Sequence, residues 1–164
     1  MNDLSVLFGG TDISLSCGEM KKWLDREGGD GDCFLLDVRE EWEHRFVRFP
    51  GSLNIPLSRL PENLWRISSD GLVIVYCHTG IRSLLACYLL SKNGFSKIRN
   101  LEGGIDAYAL KVDARLPRYR LDPGRRPPES VLDANARGSL RPDQSPWGEG
   151  VTETISPDRS PTDP

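Results

Sequence analysis

Leu72-Val73-Ile74-Val75-Tyr76 runs directly into Cys77-His78-Thr79-Gly80-Ile81-Arg82, and this join decides how the chain is read. Five apolar or aromatic residues in a row suit a parallel strand covered on both faces. Beyond the loop, Ile81, Leu84, Leu85, Tyr88 and Leu89 recur at i, i+3, i+4, i+7 and i+8, a helical stripe of the kind that faces a core. Asn93-Gly94 stops that helix, with Phe95 placed to cover its end. Working outward, Cys33-Phe34-Leu35-Leu36-Asp37-Val38 reads as an earlier buried strand and Lys97-Ile98-Arg99-Asn100-Leu101 as a later one. Ser16-Cys17-Gly18-Glu19 has the spacing of a capping box, Met20, Trp23 and Leu24 follow at helical spacing, and Gly28-Gly29 ends that helix. Gly103-Gly104 opens a last helix through Tyr108. Strands alternating with helices predict an α/β fold: a mainly parallel central sheet flanked by helices on both faces.

The chain has 164 residues with 21 Lys plus Arg against 24 Asp plus Glu, a net charge of -3. That balance argues against a broad nucleic-acid footprint and against a polybasic membrane surface. No stretch approaches the ~20 apolar residues of a membrane helix, and the first eight residues do not read as a signal peptide. Cysteines at 17, 33, 77 and 87 fit neither a CxxC metal site nor a dense disulfide framework, so the expected setting is reducing and cytoplasmic. Nine of the twelve prolines fall after Lys111. From residue 122 the chain is rich in Pro, Arg, Asp, Glu, Ser and Gly without a sustained period, which predicts a disordered tail over 122–164. Within it, Trp147 has no core to join and reads as a docking residue. Residues 11–112 are the expected domain. Residues 113–121, including Arg118-Tyr119-Arg120, form an extension that either folds back on it or leads into the tail.

In an open parallel sheet, ligands bind beyond the carboxyl ends of the strands. Asp37-Val38-Arg39-Glu40, the Cys77–Arg82 loop and Glu102-Gly103-Gly104 should therefore share one edge. Gly80 permits the sharp turn between Cys77 and the helix start. Such a turn aims backbone N–H groups inward as an anion nest at a helix N-terminus. Arg82 adds a permanent positive charge and a planar fork of donors. The result is a nucleophilic sulfur beside a site for a small oxyanion. Asp37 and Arg39 read as a brace behind the loop, because an Asp buried beside a core strand must be paired. Cys87, ten positions past Cys77 at ~1.5 Å of helix rise per residue, reads as core. Cys17 and Cys33 read as structural, and Trp42 and Trp65 as packing residues. His78 either tunes the thiolate or contacts the donor, or else is a solvent-facing loop residue.

Four segments in register resemble the rhodanese domain. They are Asp37-Val38-Arg39-Glu40-Glu41-Trp42-Glu43, Pro50-Gly51-Ser52-Leu53-Asn54-Ile55-Pro56-Leu57, Cys77 through Ser83, and Asn100-Leu101-Glu102-Gly103-Gly104-Ile105-Asp106-Ala107-Tyr108. The resemblance covers residues 11–112 and is to the single-domain sulfurtransferases. It implies that Cys77 attacks the outer sulfur of thiosulfate or another sulfane donor and becomes a persulfide. It implies a second transfer of that sulfur to cyanide, a thiol or a protein acceptor. The backbone of His78, Thr79, Gly80, Ile81 and Arg82 would cradle the persulfide and Arg82 would hold the donor anion. It implies neither metal nor organic cofactor. Two departures stand out: Val47-Arg48-Phe49 where the family often has Gly-His-Ile, and Tyr108 where it usually has tryptophan.

Two other functions compete. Cysteine phosphatases use a similar strand–loop–helix site but place five residues between cysteine and arginine. Here there are four, which makes a tighter pocket, and no dedicated acid loop is visible. The other rival is a non-enzymatic docking module with the Pro-rich tail as its binding arm.

Overall fold

The computed structural model describes residues 7–26 and 33–120. Five parallel strands form one sheet: β1 (Ser14–Leu15), β2 (Cys33–Asp37), β3 (Leu53–Asn54), β4 (Leu72–Tyr76) and β5 (Ile98–Leu101). Their order across the sheet is β1-β5-β4-β2-β3. β4 is central and its register aligns the strand ends, with Asp37 opposite Tyr76 and Val75 opposite Asn100. The stretches after β2, β4 and β5 therefore emerge at one edge.

Each central strand is buried on both faces, and alternation divides its side chains between two layers. Val73 and Val75 join Leu36, Val38, Ala86, Cys87 and Leu90 on one face, under α3 (Ile81–Lys92). Ile74 and Tyr76 join Leu35, Met20, Phe49, Ile105 and Tyr108 on the other. Helices α1 (Cys17–Leu24), α2 (Glu41–Phe46) and α4 (Gly104–Lys111) line that second face. α1 starts on a capping box in which Ser16 and Glu19 bond each other's backbone N–H. α3 ends at Asn93 and Gly94, and the Phe95 N–H returns to the Leu90 carbonyl while its ring is buried.

Two sequence expectations need correction here. The buried face of α3 is Ser83, Ala86, Cys87 and Leu90; of the expected stripe, Leu84 and Leu89 are half-buried against the core, whereas Ile81, Leu85 and Tyr88 are exposed. Trp65 does not pack: it is 81% exposed, in a 3-10 segment between β3 and β4. Trp42 is buried, and so are Cys17 and Cys87, while Cys33 is half-buried. Burial pushes the Cys87 thiol up to about 12 and the Cys33 thiol to about 11, so both stay protonated. The glycine pair 28–29 and the segment 121–164, with Trp147, lie outside the described residues. Among the described residues, no helix is long and apolar enough to cross a membrane.

Candidate active site

Cys77 leaves β4 at the sheet's carboxyl edge with its side chain 1% exposed. Its sulfur accepts the Gly80 N–H at 3.1 Å and the Ser83 hydroxyl at 3.3 Å. Gly80 makes the reversal, with φ of +92°, in the left-handed region that favours glycine. α3 begins at the next residue, so the N–H groups of its first turn have no carbonyl within the helix to bond. They lie directly after the sulfur-holding turn, where the helix dipole favours negative charge.

The loop is fixed from the β5 side. The carbonyls of Cys77 and His78 accept the N–H groups of Ile105 and Asp106 at 2.9 and 3.1 Å. That approach is close because Gly104, with φ of +62°, carries no Cβ; one added there would run into both carbonyls. The glycine pair that opens α4 thus serves the loop as well as the helix.

Arg82 has a partner inside the protein. Its two terminal nitrogens donate to Glu43 at 2.6 and 2.7 Å, across 39 residues of sequence. Glu43 is 1% exposed and accepts two further hydrogen bonds: the Glu40 N–H at 2.9 Å and the Tyr119 hydroxyl at 2.6 Å. Burial alone would raise its carboxyl, but the Arg82 and Tyr119 hydrogen bonds outweigh burial and hold it below the ordinary carboxylate value. The Arg82 side chain keeps 27% exposure, and Glu43 uses two of its five N–H groups.

Behind this pair lies a second one. Asp37 and Arg39 are fully buried, joined by Arg39 Nε and Nη2 to the two carboxylate oxygens at 2.9 and 2.6 Å. The Arg39 N–H also bonds Asp37, and His44 Nδ1 lies 2.8 Å from it. Arg39 Nη2 ties the group to the Val47 carbonyl at 2.6 Å. Neither residue reaches Cys77 by a hydrogen bond; they hold the β2–α2 turn that presents Glu43.

His78 is buried, not solvent-facing. Its ring stacks on Tyr119 at 4.3 Å and 23°, and its Nε2 lies 3.8 Å from Asp106 Oδ1. Neither ring nitrogen has a hydrogen bond among the described residues. Burial favours the neutral ring and lowers its pKa, outweighing Asp106, whose negative charge favours the protonated form. Thr79 and Ile81 are exposed and bring their backbone to the loop.

The structure thus gathers Cys77, Gly80, Arg82 and His78 in one place, with Asp37 and Arg39 as the support beneath. Three participants did not stand out as site residues in the sequence. Ser83 could have been found, since it follows Arg82 on the first turn of α3. Glu43 lay inside a recognised motif without a visible partner. Tyr119 lay in a segment whose course the sequence left open.

Residues 18–111 match the model of the rhodanese-like domain, and the chain belongs to that family. A sulfurtransferase of Allochromatium vinosum is 36% identical over 78 residues, 48% of this chain and 73% of that protein. The uncharacterized protein YqhL of Bacillus subtilis is 40% identical over 81 residues, spanning 49% of this chain and 64% of its own length. Among solved structures, a rhodanese-related protein from Thermoplasma volcanium superposes with a TM-score of 0.53 at 30% identity, covering 60% of this chain and 92% of that one. Family membership and the sulfurtransferase relative support a transferase acting on sulfur.

Proposed function

We propose that the protein moves sulfane sulfur from a small sulfur-containing anion to a thiophilic acceptor, with Cys77 as the carrier. The observation that carries this reading is the Cys77 sulfur at the start of the loop, accepting from Gly80 and Ser83, with the open first turn of α3 and Arg82 beside it. The Cys77 thiolate attacks the outer sulfur of thiosulfate; a new S–S bond forms, the old one breaks, and sulfite leaves with its electron pair. The outer sulfur, now a persulfide, is next attacked by cyanide, a thiol or a cysteine of a protein acceptor. The Cys77–sulfur bond breaks and the thiolate is regenerated. Sulfur serves in turn as nucleophile, carrier and leaving group.

The N–H groups of the loop suit the negative charge of the terminal persulfide sulfur. Arg82, with three N–H groups not used by Glu43, suits the sulfonate end of the donor. A reducing, cytoplasmic setting suits four cysteines that are all free. The test is turnover of the purified full chain with thiosulfate and cyanide, read as thiocyanate formed. The reading predicts turnover in the natural chain and none in Cys77→Ser. Hydrolysis of an aryl phosphate without thiocyanate formation would replace it with a phosphatase.

A further inference from the structure

The family match ends at residue 111, yet the chain beyond it returns to the site. After α4, the Leu116 N–H bonds the Asp113 carbonyl, and the Leu116 side chain packs on the second core layer. Arg118 grips Asp106, in the first turn of α4, through two bonds of 2.8 and 3.0 Å. The next residue, Tyr119, stacks on His78 and meets Trp42 and Phe46 edge-on at 5.5 and 5.6 Å. Its hydroxyl donates to Glu43 Oε1 at 2.6 Å and accepts from Arg39 Nη1 at 3.0 Å. The same Glu43 oxygen receives Arg82 Nη2 at 2.7 Å.

The ring contacts alone would be satisfied by phenylalanine. The hydroxyl is different, because it joins two charge pairs that otherwise share no hydrogen bond among the described residues: Asp37–Arg39 behind the site and Glu43–Arg82 at it. Without it, Glu43 Oε1 and Arg39 Nη1 each lose a partner in a buried setting, where an unmet polar group is costly. The Glu43 carboxylate could then turn, and the guanidinium it holds would turn with it.

We propose that Tyr119, supplied from outside the family domain, is a positioning residue for donor binding: it locks Glu43 and thereby sets the orientation of Arg82 beside Cys77. This rests on the sulfur-transfer reading of the site. The strap 113–120 is on this view part of the active site and not a spacer.

The test uses the full chain and two variants. Tyr119→Phe keeps the ring and its stack on His78 but removes the hydroxyl; Arg118→Ala loosens the strap from its exposed anchor. The first readout is hydrogen exchange of the Arg82 Nε–H by NMR in the resting protein. The second is the KM for thiosulfate against kcat. Tyr119→Phe should speed the exchange and raise KM by about five- to tenfold each, the weight of one ordinary hydrogen bond, with kcat within about twofold. Arg118→Ala should move both the same way by less. In a Glu43→Gln background, Tyr119→Phe should add less than about twofold, because the path runs through the carboxylate. Unchanged exchange and KM in Tyr119→Phe, with only the melting temperature lowered, would reduce Tyr119 to packing and overturn the proposal. If the natural chain forms no thiocyanate, the sulfur-transfer reading fails separately, while unchanged Arg82 exchange in Tyr119→Phe still refutes the lock itself.

Discussion

Arg82 illustrates how one side chain can be legible in its chemistry and hidden in its surroundings. Its position, on the first turn of a helix where the dipole disfavours a cation, signals an anion partner. The partner found is Glu43, 39 residues away, and no local pattern marks such a pairing. The same holds for Tyr119, 76 residues from Glu43. Cys77, Gly80 and Arg82 were readable because the loop that joins them is local. The pairing has a measurable consequence. Arg82→Ala strips two donors from a carboxylate that stays buried, so we expect a loss of about 2–3 kcal/mol in urea unfolding, besides weakened thiosulfate binding. Arg82→Lys should recover part of the stability but not the binding, since an ammonium cannot form the two-pronged contact. A stability within about 0.5 kcal/mol of the natural chain for Arg82→Ala would show that Glu43 does not depend on it.

At the scale of elements, α3 was predicted as a helix, but of its expected inward stripe only Leu84 and Leu89 pack on the core, while Ile81, Leu85 and Tyr88 face outward. Residues 81, 85 and 88 repeat at helical spacing, and so do 83, 86, 87 and 90. Periodicity cannot choose between two such stripes. The loop chooses: Ser83 must turn toward the Cys77 sulfur, and that rotation sends Ala86, Cys87 and Leu90 into the core. Leu90→Ala should therefore cost about 2–5 kcal/mol, whereas Leu85→Ala should stay within about 0.5 kcal/mol, because Leu85 is exposed. Equal costs would contradict this assignment. The short elements escaped the sequence reading for a simpler reason: two-residue β1 and β3 and six-residue α2 are too brief to show a period. The turn before α4 carries its own prediction. Gly104→Ala would place a methyl group against the carbonyls of Cys77 and His78 and force a left-handed φ on alanine. We expect a lower melting temperature and loss of thiocyanate formation together, because the sulfur-bearing loop must move.

For the molecule as a whole, the parallel sheet and its two helical layers were legible because continuous apolar strands and capped helices agree with each other. What the whole fold adds is a cluster of charges buried at the sheet's edge, and this gives stability a pH dependence. Burial would raise the Asp37 carboxyl, but His44 and Arg39 outweigh it and hold it below the ordinary value of 3.8. Glu43 is likewise held below 4.5. Both contribute stability that is full above the unfolded values and is lost as pH falls through the folded ones. His78, kept neutral by burial, is held below its ordinary value of 6.5. The unfolded chain binds that proton first, so His78 also lowers stability on acidification, beginning near pH 6.5. The urea midpoint should fall between pH 7.5 and 5.5, and His78→Gln should flatten that part of the curve. A midpoint that rises over this interval would contradict the neutral, buried histidine.

The central claim is that Cys77 carries the transferred sulfur. Its most direct test is the intact mass of the reduced full chain after mixing with thiosulfate, beside Cys77→Ser treated identically. The account predicts a gain of one sulfur atom on the natural chain, removed by cyanide and absent from the variant. A correctly folded chain that gains no sulfur from thiosulfate or other sulfane donors, or a Cys77→Ser variant that still gains it, would contradict the account.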